Sequence, residues 1–144
     1  MKKTSALSPA CVVLLATMLA GCSVHTITTA DFVGTWTATQ WTETNLVSYQ
    51  TVDVIAPGGA WTITIISDGS YTGAVTIPGS ASVPVSGTST ILDNSLMVVQ
   101  QGAQTIHISY TLSGNRWTLT HTDGTYNFGS GPQPSRQYIT AIRS

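Results

Sequence analysis

A chain of 144 residues carries five basic residues, Lys and Arg together, against six acidic ones, which gives a formal net charge of −1. Only 8% of its residues are charged, while 42% are hydrophobic. The length suits one domain with one core. So few basic residues exclude the positively charged surface that a nucleic-acid partner requires.

The N-terminus has the pattern of an export signal. Two lysines near the start precede an apolar run over 10–19, which ends in two small residues and Cys22. The run is too short to span about 30 Å of hydrocarbon, so it does not predict a transmembrane helix. We expect a signal peptide over 1–21. A plain secretory signal that happens to be followed by a cysteine is the alternative.

The segment Leu19-Ala20-Gly21-Cys22 resembles the lipobox of bacterial lipoproteins. The resemblance implies cleavage before Cys22 and acylation of its sulfur and its new amino group, for example by palmitate. Several acyl chains anchor stably, since each buried methylene contributes about 0.8 kcal/mol. Because Ser23 follows instead of aspartate, the resemblance also implies anchoring in the cell envelope at the outer membrane, if the source is a Gram-negative cell. Residues 22–31 would form a lipidated tether.

Cleavage would change the charge and the cysteine count. The remaining chain would have three arginines and six acidic residues, three minus six, for a formal net charge of −3 and no lysine. Cys11 would leave with the signal, so Cys22 would be the one remaining cysteine and no internal disulfide could form. We therefore expect a membrane partner reached through acyl chains, and no nucleic acid.

Residues 32–144 are predicted to form an all-β domain. Short runs of alternating apolar residues and threonine are separated by turn signals about every ten residues. The short connections favour an antiparallel up-and-down meander. It can close into a lipocalin-like barrel of eight to ten strands, which removes exposed edges, or fold over into a sandwich. The predicted strands are 34–42, 47–56, 60–66, 70–77, 82–91, 95–100, 104–112, 115–122, 125–129 and 136–143.

Three predicted turns set the register of the meander. A three-residue turn at 67–69 places Gly69 in a left-handed conformation and aligns Ile65 with Tyr71. Two-residue turns are expected at 113–114 and at 123–124, the latter of type I′. All three hairpins then put apolar residues on one face, which selects the register. The other aligned pairs are Trp61 with Val75, Leu112 with Asn115, Tyr110 with Trp117, Ile108 with Leu119, His121 with Tyr126 and Leu119 with Phe128.

The segment Asp31-Phe32-Val33-Gly34-Thr35-Trp36 resembles the Gly-x-Trp signature of calycins, the superfamily of lipocalins, fatty-acid-binding proteins and avidins. The resemblance implies that Gly34 allows close packing, that Trp36 plugs the closed end of a barrel, and that Arg143 packs across the indole, with Arg136 the alternative. Such stacking stabilises by about 0.5–2 kcal/mol. The helical pair and basic carboxylate-binding residues of fatty-acid-binding proteins have no counterpart here, and the tryptophans do not match avidin. A lipocalin-like lipoprotein fits best.

The sequence shows no catalytic or metal-binding constellation. His107 and His121 lie on neighbouring predicted strands, but the register puts them on opposite faces, and no third ligand is near. Asp68 and Asp123 are predicted to be turn residues, and Glu43 is predicted to lie at the rim of the barrel. We therefore expect a protein that is not an enzyme and holds no metal or other cofactor.

Two functions remain open from the sequence. The first is a barrel that binds a small apolar or amphiphilic ligand. The second is an envelope structural or interaction module with a filled core, which contacts an unknown protein through its outer wall or loops such as 45–46 and 129–134. A loop-mediated inhibitor of an envelope enzyme has no identifiable loop here. The residues expected to line a cavity are Trp61, Tyr71, Tyr110, Trp117, His121 and Tyr126.

Overall fold

The chain folds into an antiparallel sheet that closes on itself. The computed structural model describes residues 25–144, so the predicted signal peptide, lipobox and Cys22 lie outside the described residues. The described elements are a 3-10 helix, Thr29–Phe32, followed by β1 (Gly34–Asn45), β2 (Thr51–Asp53), β3 (Ala60–Ile65), β4 (Ser70–Thr76), β5 (Val83–Ile91), β6 (Leu96–Gln101), β7 (Gln104–Ser113), β8 (Arg116–Asn127) and β9 (Pro132–Arg143). No helix in this part of the chain is both long enough and apolar enough to cross a membrane.

Strand pairing confirms the predicted closed meander. The sheet order is β2-β1-β3-β4-β5-β6-β7-β8-β9, and β1 also pairs with β9. Eight strands, β1 and β3 to β9, therefore form the barrel. The short β2 pairs with the C-terminal half of β1. Closure leaves no free edge on those eight strands, which suits a surface with few charges to discourage edge-to-edge pairing.

The two ends of the barrel differ in their connections. The turns 66–69, 92–95 and 114–115 lie at the end where β1 begins, and the 3-10 helix closes that end. The connections 46–50, 77–82, 102–103 and 128–131 lie at the opposite end. We call the first end the closed end and the second the mouth.

The predicted hairpin between β3 and β4 is confirmed. Ile65 pairs with Tyr71 and Trp61 with Val75, as the turn at 67–69 required. Gly69 has a φ of 85°, the left-handed conformation that glycine adopts without steric cost.

The predicted β7–β8 register is wrong by two residues. The turn is Gly114-Asn115, with Gly114 at a φ of 58°, and Ser113 pairs with Arg116. Tyr110 consequently lies opposite Leu119 instead of Trp117. Because side chains alternate with a period of two, this shift keeps every apolar residue on its predicted face.

The predicted hairpin at Asp123-Gly124 does not form. The two strands predicted on either side of it are one strand, β8, with a bulge between His121 and Gly124. The chain reverses later, at 128–131, where Gly129 and Gly131 have φ values of 100° and 102°. Asn127 Oδ1 accepts hydrogen bonds from the backbone amides of both glycines. The longer β8 pairs with β9 along its whole length, and those ladder hydrogen bonds outweigh a local type I′ turn.

A second bulge, in β1, decides which side chains point into the barrel. The pairing of β1 with β9 shifts between Ala38 and Gln40. Trp36 and Ala38 point inward before the bulge, while Trp41 and Glu43 point inward after it. The extra residue therefore changes the alternation from even to odd positions.

The interior is layered from apolar to polar. Paired residues on β8, β9 and β1 form successive rows: Trp117, Ala141 and Ala38, then Leu119, Ile139 and Trp41, then His121, Gln137 and Glu43. The first two rows are apolar and lie toward the closed end. The third, which we call the polar row, lies nearer the mouth.

Candidate binding site in the barrel interior

Four aromatic side chains fill the closed end. The Phe32 ring centroid lies 5.1 Å from that of Tyr110 and 5.2 Å from that of Trp117, both edge to face. Trp36 is fully buried, contacts Trp117 at 5.6 Å between ring centroids, and donates its indole N–H to the Phe32 carbonyl at 2.7 Å. Edge-to-face contacts between aromatic rings stabilise a fold by more than the burial of their apolar surface alone. We call these four residues the aromatic plug.

Arg143 covers the aromatic plug from outside. Its Cζ lies 4.6 Å from the centroid of the Trp36 ring, and its Nη2 donates to the Asp31 carbonyl at 2.6 Å. Gly34 has a φ of 132°, and a Cβ there would approach Arg143 Cδ to 3.1 Å. The structure thus places Gly34, Trp36 and Arg143 together, whereas Arg136 pairs near the mouth end of β1 and is exposed.

A cavity of about 130 Å³ lies between the aromatic plug and the polar row. Its lining is mainly apolar and includes Ile63, Met97, Val99 and Leu119. An apolar cavity of about 150 Å³ in another protein stays dry and binds benzene. The interior is therefore not completely filled, and the space fits a group of about ring size.

A wider space lies next to the cavity, at the mouth. This space, which we call the vestibule, has a volume of about 460 Å³ and is bordered by Ile77 and Ser80 of the β4–β5 connection. The residues that line both the cavity and the vestibule are Trp61, Val75, Val85, Gln101 and Gln137. The two spaces therefore adjoin along these five side chains.

Four of the six predicted pocket residues line the cavity, namely Trp61, Tyr71, Trp117 and His121. The prediction is wrong for Tyr110, which belongs to the aromatic plug and donates its hydroxyl to the Asp93 carbonyl at 2.6 Å. Tyr126 does not line the cavity either. Its ring packs against Phe128 near the mouth, with ring centroids 5.2 Å apart.

Glu43 is a polar residue that lies in the interior of the barrel and not at its rim. Only 3% of it is exposed, so the prediction of a rim residue is wrong. Its Oε1 accepts hydrogen bonds from Trp41 Nε1 and Gln137 Nε2, each at 2.9 Å. Its Oε2 is buried and has no hydrogen-bond partner. A signal in the sequence could have located Glu43. Trp36 and Ala38 have even numbers, whereas Trp41 and Glu43 have odd numbers, so all four can point inward only if a bulge lies between them.

The polar end of the interior is rich in acceptors and poor in positive charge. Among the described residues, no lysine or arginine lines the cavity or the vestibule. Burial and, second, the negative charge of Glu43 raise the pKa of Tyr126 above its usual value. The Ser135 hydroxyl, which belongs to the next inward position of β9, is also buried without a partner.

The two strand histidines do not form a metal site. His107 is exposed, whereas His121 is half-buried and lines the cavity. Within residues 25–144, no group of three or more histidine, cysteine, aspartate or glutamate side chains is arranged to hold a metal ion. Asp68 lies in a turn as predicted and accepts the Ser70 amide at 2.7 Å, while Asp123 lies in the β8 bulge.

The described part of the predicted tether is attached to the closed end. Asn94 holds it from both sides, since its Oδ1 accepts the Ile27 amide at 2.9 Å and its Nδ2 donates to the His25 carbonyl at 3.4 Å. His25 and Asp31 are paired at 3.1 Å, and Ile27 packs against the core. Residues 25–31 therefore belong to the barrel and not to a free tether.

Comparison with known proteins gives a fold and no family. No protein-family model matches the chain, and no curated protein matches it. A solved structure of a redesigned β-barrel is similar, with a TM-score of 0.51 and 17% sequence identity over 81% of this chain and 95% of that one. At this identity the likeness supports the closed-barrel fold alone.

Proposed function

We propose that the protein is a membrane-anchored envelope lipoprotein whose barrel binds a small apolar or amphiphilic ligand. The observation that carries the proposal is the mainly apolar cavity, which shares five lining residues with the vestibule at the mouth. Ligand sites are typically preformed, mostly apolar and equipped with a few polar groups. The cavity walls are paired strands, and the polar row supplies the polar groups.

The anchor part of the proposal is supported by the lipobox resemblance at Leu19-Ala20-Gly21-Cys22. Acyl chains on Cys22 would hold the protein at the membrane, so the barrel wall itself would not have to bind lipid. The barrel interior would then be available to bind the ligand. The proposal includes no catalytic step and no cofactor.

Quenching by bromobenzene tests the proposal, because this probe has the size of the cavity and a heavy atom that quenches indole fluorescence. The protein is the full chain with Cys22→Ser, which cannot be acylated. We expect saturable quenching from Trp61 and Trp117, which line the cavity. Val99→Phe fills the cavity and should abolish the saturable phase, although overpacking destabilises by about 1–3 kcal/mol.

Val98→Phe is the matched control, because Val98 neighbours Val99 on β6 and pairs with the exposed His107 on the outer face. It should leave the quenching unchanged. Native mass spectrometry of the same protein should show a co-purifying small molecule. No saturable quenching together with a clean apo mass would contradict ligand binding.

That result would favour the second candidate, a protein-interaction module. The observation in its favour is the connection between β1 and β2, where Val47 is 70% and Tyr49 78% exposed. Tyr49 also has a φ of 60°, an uncommon conformation for a tyrosine. An apolar loop held in a strained conformation is a suitable contact for a protein partner.

A further inference from the structure

We propose that the ligand is an amphiphile with a positively charged, hydrogen-bond-donating head group, an alkyl or aryl amine, and that this head group lies at the polar row. The inference rests on the proposed function and adds the chemical class of the ligand. The apolar body would occupy the cavity between the aromatic plug and the polar row, and the remainder would extend into the vestibule.

The first observation is the direction of the hydrogen bonds at Glu43. Both of its partners, Trp41 and Gln137, are donors, and both donate to the same oxygen, Oε1. Oε1 therefore acts as an acceptor, and the second oxygen, Oε2, is buried without a partner and is the atom that a ligand donor would satisfy. A buried acceptor in this condition destabilises the empty protein, and a ligand donor or a positive charge nearby would offset that effect.

The second observation is the orientation of the Gln137 amide. Gln137 lines both the cavity and the vestibule, and its Nε2 is used by Glu43. The amide oxygen of Gln137 is therefore the group left to accept a hydrogen bond from a ligand. A head group bound there would lie within roughly 6 Å of the Glu43 carboxyl, close enough for opposite charges to attract appreciably.

The third observation concerns the charges around the site. Glu43 is buried beside Gln137, and no lysine or arginine is found in the described lining of either space. His121 is the one described lining residue that can become cationic, and it lies across Gln137 from Glu43 in the polar row. A carboxylate or phosphate head group would meet the negative charge of Glu43 without an arginine or lysine to compensate it, whereas an ammonium would be attracted.

The experiment compares octylamine, octanol and octanoate, which share one apolar chain and differ in the head group. Two-dimensional NMR titration of the full chain with Cys22→Ser at about pH 7.5 gives the three dissociation constants, with the amine protonated and the acid ionised. We expect octylamine to bind about tenfold tighter than octanol, since hydrogen bonds to charged groups are the stronger ones. Octanoate should bind weakest.

Glu43→Gln keeps the shape of the side chain and removes its charge. It should lower the affinity for octylamine to that for octanol and leave octanol unchanged. Asp123→Asn is the matched control, because it removes an exposed negative charge in the β8 bulge and should preserve the preference for the amine. Gln137→Leu is a second test, since it removes the acceptor and should weaken octylamine and octanol without weakening octanoate.

Two results would overturn the inference. The first is octanoate binding as tightly as octylamine, and the second is an amine preference that persists in Glu43→Gln. In both cases a ligand still binds in the barrel, so the proposed function stands while the head-group assignment fails. Failure of all three probes to bind, together with no bromobenzene quenching, would overturn both proposals.

Discussion

Trp36 and Trp61 show how much the surroundings of a side chain decide its role. Trp36 is fully buried in the aromatic plug and has its indole N–H bonded to the Phe32 carbonyl. Trp61 is half-buried and faces the cavity and the vestibule on one side. One indole therefore packs against protein all around, whereas the other borders open space.

Substitution by alanine should separate these two tryptophans. Trp36→Ala should destabilise by about 3–5 kcal/mol, because it leaves a cavity at a fully buried site. Trp61→Ala should destabilise clearly less, because it enlarges a space that already opens to solvent. Urea unfolding with a common m-value measures both losses. Equal losses for the two variants would contradict the role of Trp36 as the plug of the closed end.

Glu43 is the residue that stability alone explains least well. A buried polar atom without a hydrogen-bond partner destabilises by about 1–3 kcal/mol, and Glu43 Oε2 is such an atom. An apolar residue at this position would continue the layers formed by Trp41 and Ile139 below it. It contacts Gln137, which lines the cavity, and this contact is the basis of the proposed binding role.

At the scale of elements, β8 shows how a long strand overrides a local turn signal. Asp-Gly is a strong hairpin signal when flanked by alternating apolar residues, and 119–128 approaches that description, with Leu119 on one side and Tyr126 and Phe128 on the other. The barrel nevertheless needs β8 to extend to Asn127, because β9 must have a neighbour along its full length to close the sheet. The bulge between His121 and Gly124 bends the strand without reversing it.

Glycine substitutions should distinguish a strand from a turn at these positions. Gly124→Ala should change the unfolding free energy little, since a Cβ there would meet Ser135 Oγ at 3.4 Å, close to ordinary contact. Gly129→Ala should destabilise by about 1–3 kcal/mol, because its φ of 100° is nearly restricted to glycine. Thermal and urea unfolding compare the two. A larger loss for Gly124→Ala would indicate that the 123–124 turn forms in solution.

At the scale of the whole molecule, the barrel has one closed end and one open end, and the N-terminal segment is attached to the closed one. Asn94 and Asp31 hold His25 and Ile27 there. Two residues, Ser23 and Val24, lie between Cys22 and His25, and the three Cα–Cα steps span at most about 11 Å of extended chain. If Cys22 is acylated as proposed, the closed end must face the membrane and the mouth must face away.

Site-specific quenching in vesicles tests this orientation. A fluorophore on Ser67→Cys, in the β3–β4 turn at the closed end, should be quenched by lipids with brominated acyl chains. The same fluorophore on Ser80→Cys, beside the vestibule, should be quenched far less. The lipidated protein serves for both labels, with the Cys22→Ser chain as the control for binding without an anchor. Stronger quenching at Ser80 would contradict the orientation.

The alternation of apolar and polar residues determined the fold class, most strand positions and the inward face of the two predicted hairpins that form. These features depend on neighbours close in sequence, which is why Ile65 and Tyr71 could be paired correctly and Tyr110 could be placed on the inner face. Only the tertiary structure decided the position of Glu43, the continuity of β8 and the cavity above the aromatic plug. These features depend on the bulges and on the pairing between β1 and β9 that closes the barrel. A one-residue insertion in a strand exchanges its inward and outward side chains. No local sequence pattern specifies how completely the side chains fill the interior.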